Sequence, residues 1–133
     1  MTNQELIKRA EEMKQKAYIP YSNFPVGAAL LTADGTVFTG CNVENGAYSM
    51  CICAERTALV KAVSEGHQAF EKIAVIADTE EYCLPCGACR QMLIEFSPDL
   101  EVLCASRDGA YESYVLKDML APYFELKRAE EKG

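Results

Sequence analysis

Residues 53–78, CAERTALVKAVSEGHQAFEKIAVIAD, combine a predicted helix with a predicted strand, and this pair indicates the fold class. The helix has apolar residues at positions 58–60 and 62–63 and stops at Gly66, a residue that commonly ends helices. The run 72–78, KIAVIAD, is short and apolar, as is typical of a buried strand. Residues 87–96, GACRQMLIEF, predict another helix that stops before Pro98. This alternation of helices and strands is typical of a layered α/β domain.

The segments on either side of this unit predict the rest of one mixed, five-stranded sheet. Residues 26–33 and 36–43 are apolar runs separated by Asp34-Gly35, which predicts an antiparallel hairpin. Residues 100–105 and 111–116 flank a connection too short for a parallel crossover, so the last two strands should be antiparallel. A capping box at Thr2 and Glu5 predicts a first helix, with apolar residues at 6, 10, 13 and 17.

Length, composition and charge limit the possible functions. The 133 residues, 50% hydrophobic and 25% charged, predict a single globular domain over residues 1–133. The net charge of −7 argues against nucleic acid as a partner and favours a small molecule. The segment MTNQELIKRA lacks the apolar core of a signal peptide, and no segment approaches the length of a membrane span. We therefore expect a cytoplasmic protein without a membrane partner.

The cysteines indicate metal or thiol chemistry, since disulfides are rare in a reducing compartment. Cys53 begins one predicted helix, and Cys86 and Cys89 begin another. Residues three apart on a helix can face one ion, and a helix N-terminus favours the thiolate form that a metal needs. Three protein ligands would leave the fourth position of a tetrahedral zinc ion open, as in catalytic sites.

Two charged residues follow Cys53 directly. Residues two apart in a regular helix point to nearly opposite faces, so Cys53 must occupy the non-helical cap if Glu55 is to share its site. Glu55 would then be the base that accepts a proton from water. The Arg56 guanidinium, hydrogen-bonded to thiolate sulfur, would offset part of the negative charge that three thiolates place around a divalent ion.

Four motifs together resemble those of the small homotetrameric cytidine deaminases. They are Cys-Ala-Glu-Arg, Pro-Cys-Gly-Ala-Cys-Arg-Gln, Tyr-Ser-Asn-Phe-Pro-Val-Gly-Ala-Ala and Gly-Cys-Asn-Val-Glu-Asn, and the resemblance extends from about residue 17 to residue 124. It implies a three-layer α-β-α fold, one Zn²⁺ per chain and a homotetramer whose pockets are completed by neighbouring subunits. The implied reaction is the hydrolytic deamination of cytidine and deoxycytidine to uridine and deoxyuridine, with release of ammonia, in pyrimidine salvage.

The resemblance also implies roles for individual residues. Cys53, Cys86 and Cys89 would bind zinc, and Glu55 would carry the proton from water to N3 and then to the leaving amine. The implied substrate contacts are Phe24 against the pyrimidine, Asn42 and Glu44 at the ribose hydroxyls, the Ala54 backbone amide at O2 of the base, and Phe124 from a neighbouring subunit. Because the sugar would be held by polar groups, free cytosine should be excluded.

Two features depart from the family pattern and leave alternatives open. The segment 119–124, MLAPYF, has its proline displaced by one position, although Phe124 keeps its spacing. Cys83 extends the motif to Cys-x-x-Cys-x-x-Cys, which suggests an iron–sulfur protein or a thiol oxidoreductase, but both leave Cys53 and Glu55 without a role. A deaminase of polynucleotides or of another nucleoside is a third alternative. The acidic charge and the short connection between the last strands argue against a polymer.

Other residues have simpler interpretations when taken alone. Cys41, Cys51 and Cys104 lie in or beside apolar runs and are expected to be small buried hydrophobic residues. His67 is expected to be a solvated loop residue. Arg90 follows Cys89 directly and is either a second partner of a thiolate or part of a surface ion pair.

Overall fold

The computed structural model describes residues 1–129, and the last part of the predicted domain, residues 130–133, lies outside the described residues. Its helices and strands are α1 (Asn3–Met13), β1 (Val26–Thr32), β2 (Val37–Cys41), α2 (Ala54–Ser64), β3 (Phe70–Ala77), α3 (Gly87–Ile94), β4 (Glu101–Ala105) and β5 (Tyr111–Val115). Short 3₁₀ helices cover 14–16, 48–50 and 116–119. None of the helices within residues 1–129 has the length and apolar character that a membrane span requires.

The strands form one sheet in the order β2-β1-β3-β4-β5. Strands β3 and β4 are parallel, and the other neighbouring pairs are antiparallel. The parallel pair needs a crossover, which α3 provides. The predicted five-stranded mixed sheet with antiparallel last strands is therefore confirmed.

Helices cover both faces of this sheet. On one face, α1 packs Leu6 and Ile7 against a buried cluster that includes Ile76 of β3. On the other face, α2 and α3 pack Leu59 and Leu93 against a cluster that includes Ile73. Because successive strand residues point to opposite faces, β3 contributes to both clusters. This arrangement is the three-layer α-β-α fold.

The first helix begins as predicted but ends earlier. The Thr2 hydroxyl accepts a hydrogen bond from the Glu5 backbone N–H at 3.1 Å, and the Glu5 carboxylate accepts one from the Thr2 N–H at 3.2 Å. The apolar spacing extended the predicted helix to Ala17, but α1 ends at Met13 and a 3₁₀ turn follows. The capping box is a local signal, whereas helix ends are set less sharply by periodicity.

A glycine in β2 lets α2 approach the sheet closely at its first turn. A Cβ on Gly40 would lie 2.4 Å from the Ala54 carbonyl oxygen and 2.6 Å from the Ala58 nitrogen. Only a residue without a side chain tolerates backbone this close. The contact places the beginning of α2, which follows Cys53, directly against β2.

Candidate active site

Two helix N-termini bring the three predicted metal ligands together. Cys53 is the N-cap of α2 with φ −72° and ψ 156°, and Cys86 is the N-cap of α3 with φ −70° and ψ 168°. Cys53 thus lies at the non-helical cap, as its spacing from Glu55 required. Cys89 is buried in the first turn of α3. The Sγ atoms of the three cysteines all lie within 4.8 Å of one another.

The spacing of these sulfur atoms suits a tetrahedral zinc ion. Zn–S bonds of about 2.3 Å at tetrahedral angles require sulfur atoms about 3.8 Å apart. The Sγ atoms of Cys53 and Cys86 are 3.7 Å apart, and those of Cys86 and Cys89 are 3.3 Å apart. Thiolates are also ligands that zinc prefers. Three such ligands leave one coordination position for a reacting molecule.

Glu55 lies beside the cysteines in the first turn of α2 and is only 4% exposed. Burial raises the pKa of Glu55 to about 7, and the nearby charge of Cys53 acts in the same direction. A carboxyl group with a pKa near neutrality can both accept and release a proton during a reaction. Such a shift, in a residue beside a metal-ligand cluster, is typical of catalytic groups.

Arg56 contacts the same cluster at Cys53. Its Nη2 is 3.7 Å from the Cys53 Sγ and donates to the Cys51 carbonyl oxygen at 3.3 Å. Hydrogen bonding with Cys89 and, to a smaller extent, the Arg56 guanidinium together lower the pKa of Cys53 to about 5. The arrangement therefore favours a thiolate at Cys53, the form that binds a metal.

Over residues 1–105, the chain matches the family described as the cytidine and deoxycytidylate deaminase zinc-binding region. The chain belongs to the cytidine and deoxycytidylate deaminase family. The matched range contains all three cysteines of the cluster together with Glu55. The resemblance seen in the sequence motifs is confirmed, and the zinc-binding character of the family region agrees with the geometry of the cysteines.

Similar proteins cover nearly the whole chain. A cytidine deaminase from Sporosarcina psychrophila is 57% identical over 125 residues, which are 93% of this chain and 92% of the relative. A cytidine deaminase from Burkholderia pseudomallei has a crystal structure that superposes with a TM-score of 0.90 at 49% identity, covering 93% of this chain and 100% of that one. The cytidine deaminase from Mycobacterium tuberculosis superposes with a TM-score of 0.83 at 34% identity, covering 95% of this chain and 100% of that one.

A cleft of about 170 Å³ opens onto Cys53 and Cys86 of the cluster. Three of the residues predicted to contact substrate, Phe24, Asn42 and Ala54, line it together with Glu55. Sequence reasoning missed two wall residues, Val26 at the start of β1 and Leu84 in the loop before α3, because no local pattern indicates which strand end or loop residue faces the cleft. The full lining is Phe24, Val26, Asn42, Cys53, Ala54, Glu55, Cys83, Leu84 and Cys86.

The side chains of Asn42 and Glu44 both form hydrogen bonds with the loop that carries Phe24. The Asn42 side chain accepts from the Val26 N–H at 2.9 Å and donates to the Phe24 carbonyl oxygen at 2.9 Å. Glu44 accepts from the backbone N–H groups of Tyr21 and Ser22, each at 3.2 Å, and from the Ser22 hydroxyl. The hydrogen bond from the Ser22 side chain is the main cause that lowers the pKa of Glu44 below its usual value.

Glu44 and Phe124 do not line the cleft. Glu44 lies in a separate hollow of about 150 Å³ with Tyr21, Ser22, Tyr48 and Cys51. Phe124 is 68% exposed and belongs to a groove beside the end of α3. The Gln91 side chain donates to the Phe124 carbonyl oxygen at 3.1 Å. Within one chain, therefore, the Phe124 side chain lies apart from the cysteine cluster.

Cys83 lines the cleft but is not part of the sulfur cluster found within residues 1–129. An iron–sulfur site built on Cys83, Cys86 and Cys89 is therefore not supported. Burial raises the pKa of Cys83 to about 12, which keeps its thiol neutral. A thiol oxidoreductase needs a reactive thiolate, and Cys83 does not provide one.

The remaining predictions had mixed outcomes. Cys104 is buried as expected, but Cys41 and Cys51 are only half-buried. The prediction for His67 was correct only in part: the residue lies in the loop after α2, but its ring is partly buried, lies 5.1 Å from the Phe38 ring and has Nδ1 3.8 Å from the Asp34 carboxylate. Phe38 is distant from His67 in the sequence, so no local pattern indicated the contact between the two rings.

Neither interpretation of Arg90 is supported by the contacts of its side chain within residues 1–129. Its Nε donates to the Pro85 carbonyl oxygen at 2.8 Å, and its Nη1 donates to the Met119 carbonyl oxygen at 2.9 Å. The side chain therefore binds backbone carbonyls rather than a thiolate or a carboxylate. The acceptor at Met119 is distant in sequence, so no local pattern indicated it.

Proposed function

We propose that this chain is a zinc-dependent cytidine deaminase that converts cytidine and deoxycytidine to uridine and deoxyuridine in pyrimidine salvage. The observation that carries the proposal is the meeting of Cys53, Cys86 and Cys89 beside the buried Glu55, at two helix N-termini that open onto one cleft. The family and the relatives named cytidine deaminases support the choice of substrate. We further propose that residues 1–133 form the single catalytic domain.

The reaction is a hydrolysis in which water replaces the 4-amino group of the base. The oxygen of water forms a bond to C4, the bond from C4 to the amine breaks, and the products are the uracil nucleoside and ammonia. A zinc ion held by Cys53, Cys86 and Cys89, one per chain, would supply the Lewis acid that makes water acidic enough to react near neutral pH. Glu55 would accept a proton from water, deliver it to N3, and then transfer a proton to the leaving amine.

The cleft of this chain offers groups that could orient a cytosine base. Ala54 is the first residue of α2, so its backbone N–H is one of the amides that have no partner within the helix and could donate to O2. Phe24 is 43% exposed at the cleft and presents an aromatic ring on which a base can stack. The Arg56 guanidinium would stabilise the thiolate of Cys53.

Asn42 and Glu44 can form further hydrogen bonds with the sugar in addition to those that they form with the loop carrying Phe24. The Asn42 side chain uses one acceptor site and one donor hydrogen in the contacts described above, which leaves one of each free. Glu44 accepts three hydrogen bonds, fewer than the roughly four lone-pair sites of a carboxylate. We propose that both bind ribose hydroxyls, so that free cytosine is a poor substrate.

Neighbouring subunits would complete the pocket in a homotetramer. The cleft of about 170 Å³ is smaller than typical ligand sites, which measure about 300–1,000 Å³. Apolar side chains that a partner could cover are exposed elsewhere, including Tyr48 at 74% and Met50 at 60%. Phe124 would reach the pocket of a neighbour. All seven cysteines are unpaired, which suits the cytoplasmic location that we include in this proposal.

An assay on purified protein tests the function directly. The ultraviolet absorbance of cytidine and deoxycytidine should change with the release of one ammonia per nucleoside, whereas free cytosine should react far more slowly. Removal of metal with a chelator should abolish turnover, and added zinc should restore it. No ammonia from either nucleoside with zinc-loaded protein would refute the proposal, and a monomer by light scattering with full activity would refute the shared pocket.

A further inference from the structure

Two residues that follow Cys89 on α3 hold a distant part of the chain. Arg90 donates from Nη1 to the Met119 carbonyl oxygen at 2.9 Å, and Gln91 donates from Nε2 to the Phe124 carbonyl oxygen at 3.1 Å. Helix α3, which carries Cys89, therefore contacts the first and the last residue of 119–124, the C-terminal segment.

The backbone of this segment has little regular structure of its own. The 3₁₀ helix 116–119 ends at Met119, and residues 120–128 are neither helix nor strand. Backbone carbonyl groups without a helix or strand partner need donors from elsewhere, and side chains of α3 supply them at two positions. Leu120 and Tyr123 pack against the core cluster that contains Leu93 of α3. The segment thus depends on α3 for its position.

Arg90 also reaches the loop that precedes the metal ligands. Its Nε donates to the carbonyl oxygen of Pro85, the residue directly before Cys86, at 2.8 Å. A guanidinium is planar and presents its donors in a fixed arrangement, so one partly buried side chain sets two backbone positions relative to each other. The loop at Pro85 and the C-terminal segment at Met119 are therefore linked through one rigid group.

We propose that Arg90 and Gln91 are positioning residues that hold the C-terminal segment on α3, so that Phe124 keeps a fixed position relative to the metal ligands of its own chain. The effect on substrate rests on the proposed function, in which Phe124 contributes to the nucleoside pocket of a neighbouring subunit. Tyr123 is partly buried and packs against the core cluster, while Phe124 is 68% exposed, so of these two aromatic residues Phe124 is the one that faces outward. Loss of either anchor would loosen that ring without removing any metal ligand.

The kinetic test uses Gln91→Ala, with Gln15→Ala as the matched control on an exposed side chain. Loss of one hydrogen bond should raise KM for cytidine by about 2- to 10-fold, with kcat and zinc content nearly unchanged. In a Phe124→Ala background, Gln91→Ala should add little, because the ring that it positions is already absent. Arg90→Gln should raise KM further, and Arg90→Lys should not restore it, since lysine cannot bridge two carbonyl groups in the same plane. Arg9→Gln is the control for charge.

A second measurement does not require activity. Amide hydrogen exchange within residues 120–128 should be faster in Gln91→Ala and Arg90→Gln than in wild type, and unchanged in Gln15→Ala. Unchanged exchange overturns the proposal, as does an unchanged KM for Gln91→Ala or an effect that persists in full without Phe124. If the wild-type chain did not deaminate cytidine, the proposed function would fail, and hydrogen exchange alone would decide whether these residues position the segment.

Discussion

Replacing Gly40 by alanine should damage the active site without altering any residue that lines it. A Cβ at this position would lie 2.4 Å from the Ala54 carbonyl oxygen, about 1 Å closer than the 3.4 Å at which ordinary contact begins. Both close neighbours are backbone atoms of α2, so the contact cannot be relieved by a change of rotamer. The first turn of α2 would have to move away from β2 by about that distance.

The expected effect has a stability part and a catalytic part. Overpacking of this kind costs about 1–3 kcal/mol, and the upper end applies because the obstructing atoms are backbone. Cys53 and Glu55 move with the first turn of α2, and a displacement of about 1 Å at reacting groups can reduce the rate by about 10²-fold. We therefore expect a lower free energy of unfolding together with lower zinc occupancy and kcat.

Urea unfolding, zinc analysis and nucleoside kinetics on the folded fraction of Gly40→Ala would measure these effects. Gly27→Ala is the matched control, because its Cβ would lie 1.9 Å from the Ala10 carbonyl oxygen of α1, on the other face of the sheet. That variant should lose stability while its folded fraction keeps zinc. Wild-type stability and activity in Gly40→Ala would refute the reasoning, and equal loss of zinc in both variants would show a global effect instead.

The remaining predictions concern the cysteines and the charged residues beside them. Alanine at Cys53, Cys86 or Cys89 should deplete zinc, whereas Cys83→Ala should retain it. Elemental analysis of the wild-type chain should find zinc and no iron. A metal whose binding depends on Cys83 but not on Cys53 would contradict this ligand set. Glu55→Gln should keep zinc and fold but lose about 10²–10⁴-fold in kcat, because the amide cannot accept a proton from water. Burial raises the pKa of Glu55 from its ordinary 4.5 to about 7. Between these two pH values the folded metal-free chain binds more protons than the unfolded chain, so its free energy of unfolding should fall as the pH rises from about 4.5 to about 7. Urea unfolding of metal-free Glu55→Gln should show less of this fall, and parallel pH curves would exclude Glu55 as the cause. Arg56→Gln should reduce kcat less than Glu55→Gln does, since the guanidinium contacts the Cys53 sulfur rather than the substrate, and complete loss of zinc would instead make Arg56 essential for the metal site.

Much of the fold was predictable because its signals are short in range. The pair Asp34-Gly35 between two apolar runs predicted the hairpin of β1 and β2, and Gly35 has the positive φ of 92° that such turns favour. The capping box at Thr2 and Glu5 likewise predicted where α1 begins. Where α1 ends was less predictable, because apolar spacing continued into residues that the structure places in a 3₁₀ turn.

The sequence by itself determined which residues begin the two helices and what chemistry they offer. Cys53 and Cys86 lie at N-caps, and Cys89 follows one turn later, because capping and helical spacing involve only neighbouring residues. Those same constraints predicted that Glu55 could share a site with Cys53. The family motifs extended this local information to candidate substrate contacts.

Only the tertiary structure decided how these parts meet. Packing of α2 against Gly40 and of both helices on one face of the sheet brings three sulfur atoms within 4.8 Å of one another and buries Glu55 to 4% exposure. The contacts of Arg90 with Met119 and of Gln91 with Phe124 join residues far apart in the chain. Local patterns encode capping and periodicity, but burial and distances between elements arise only when the layers pack together, so pKa shifts and long-range anchors cannot be obtained from spacing alone.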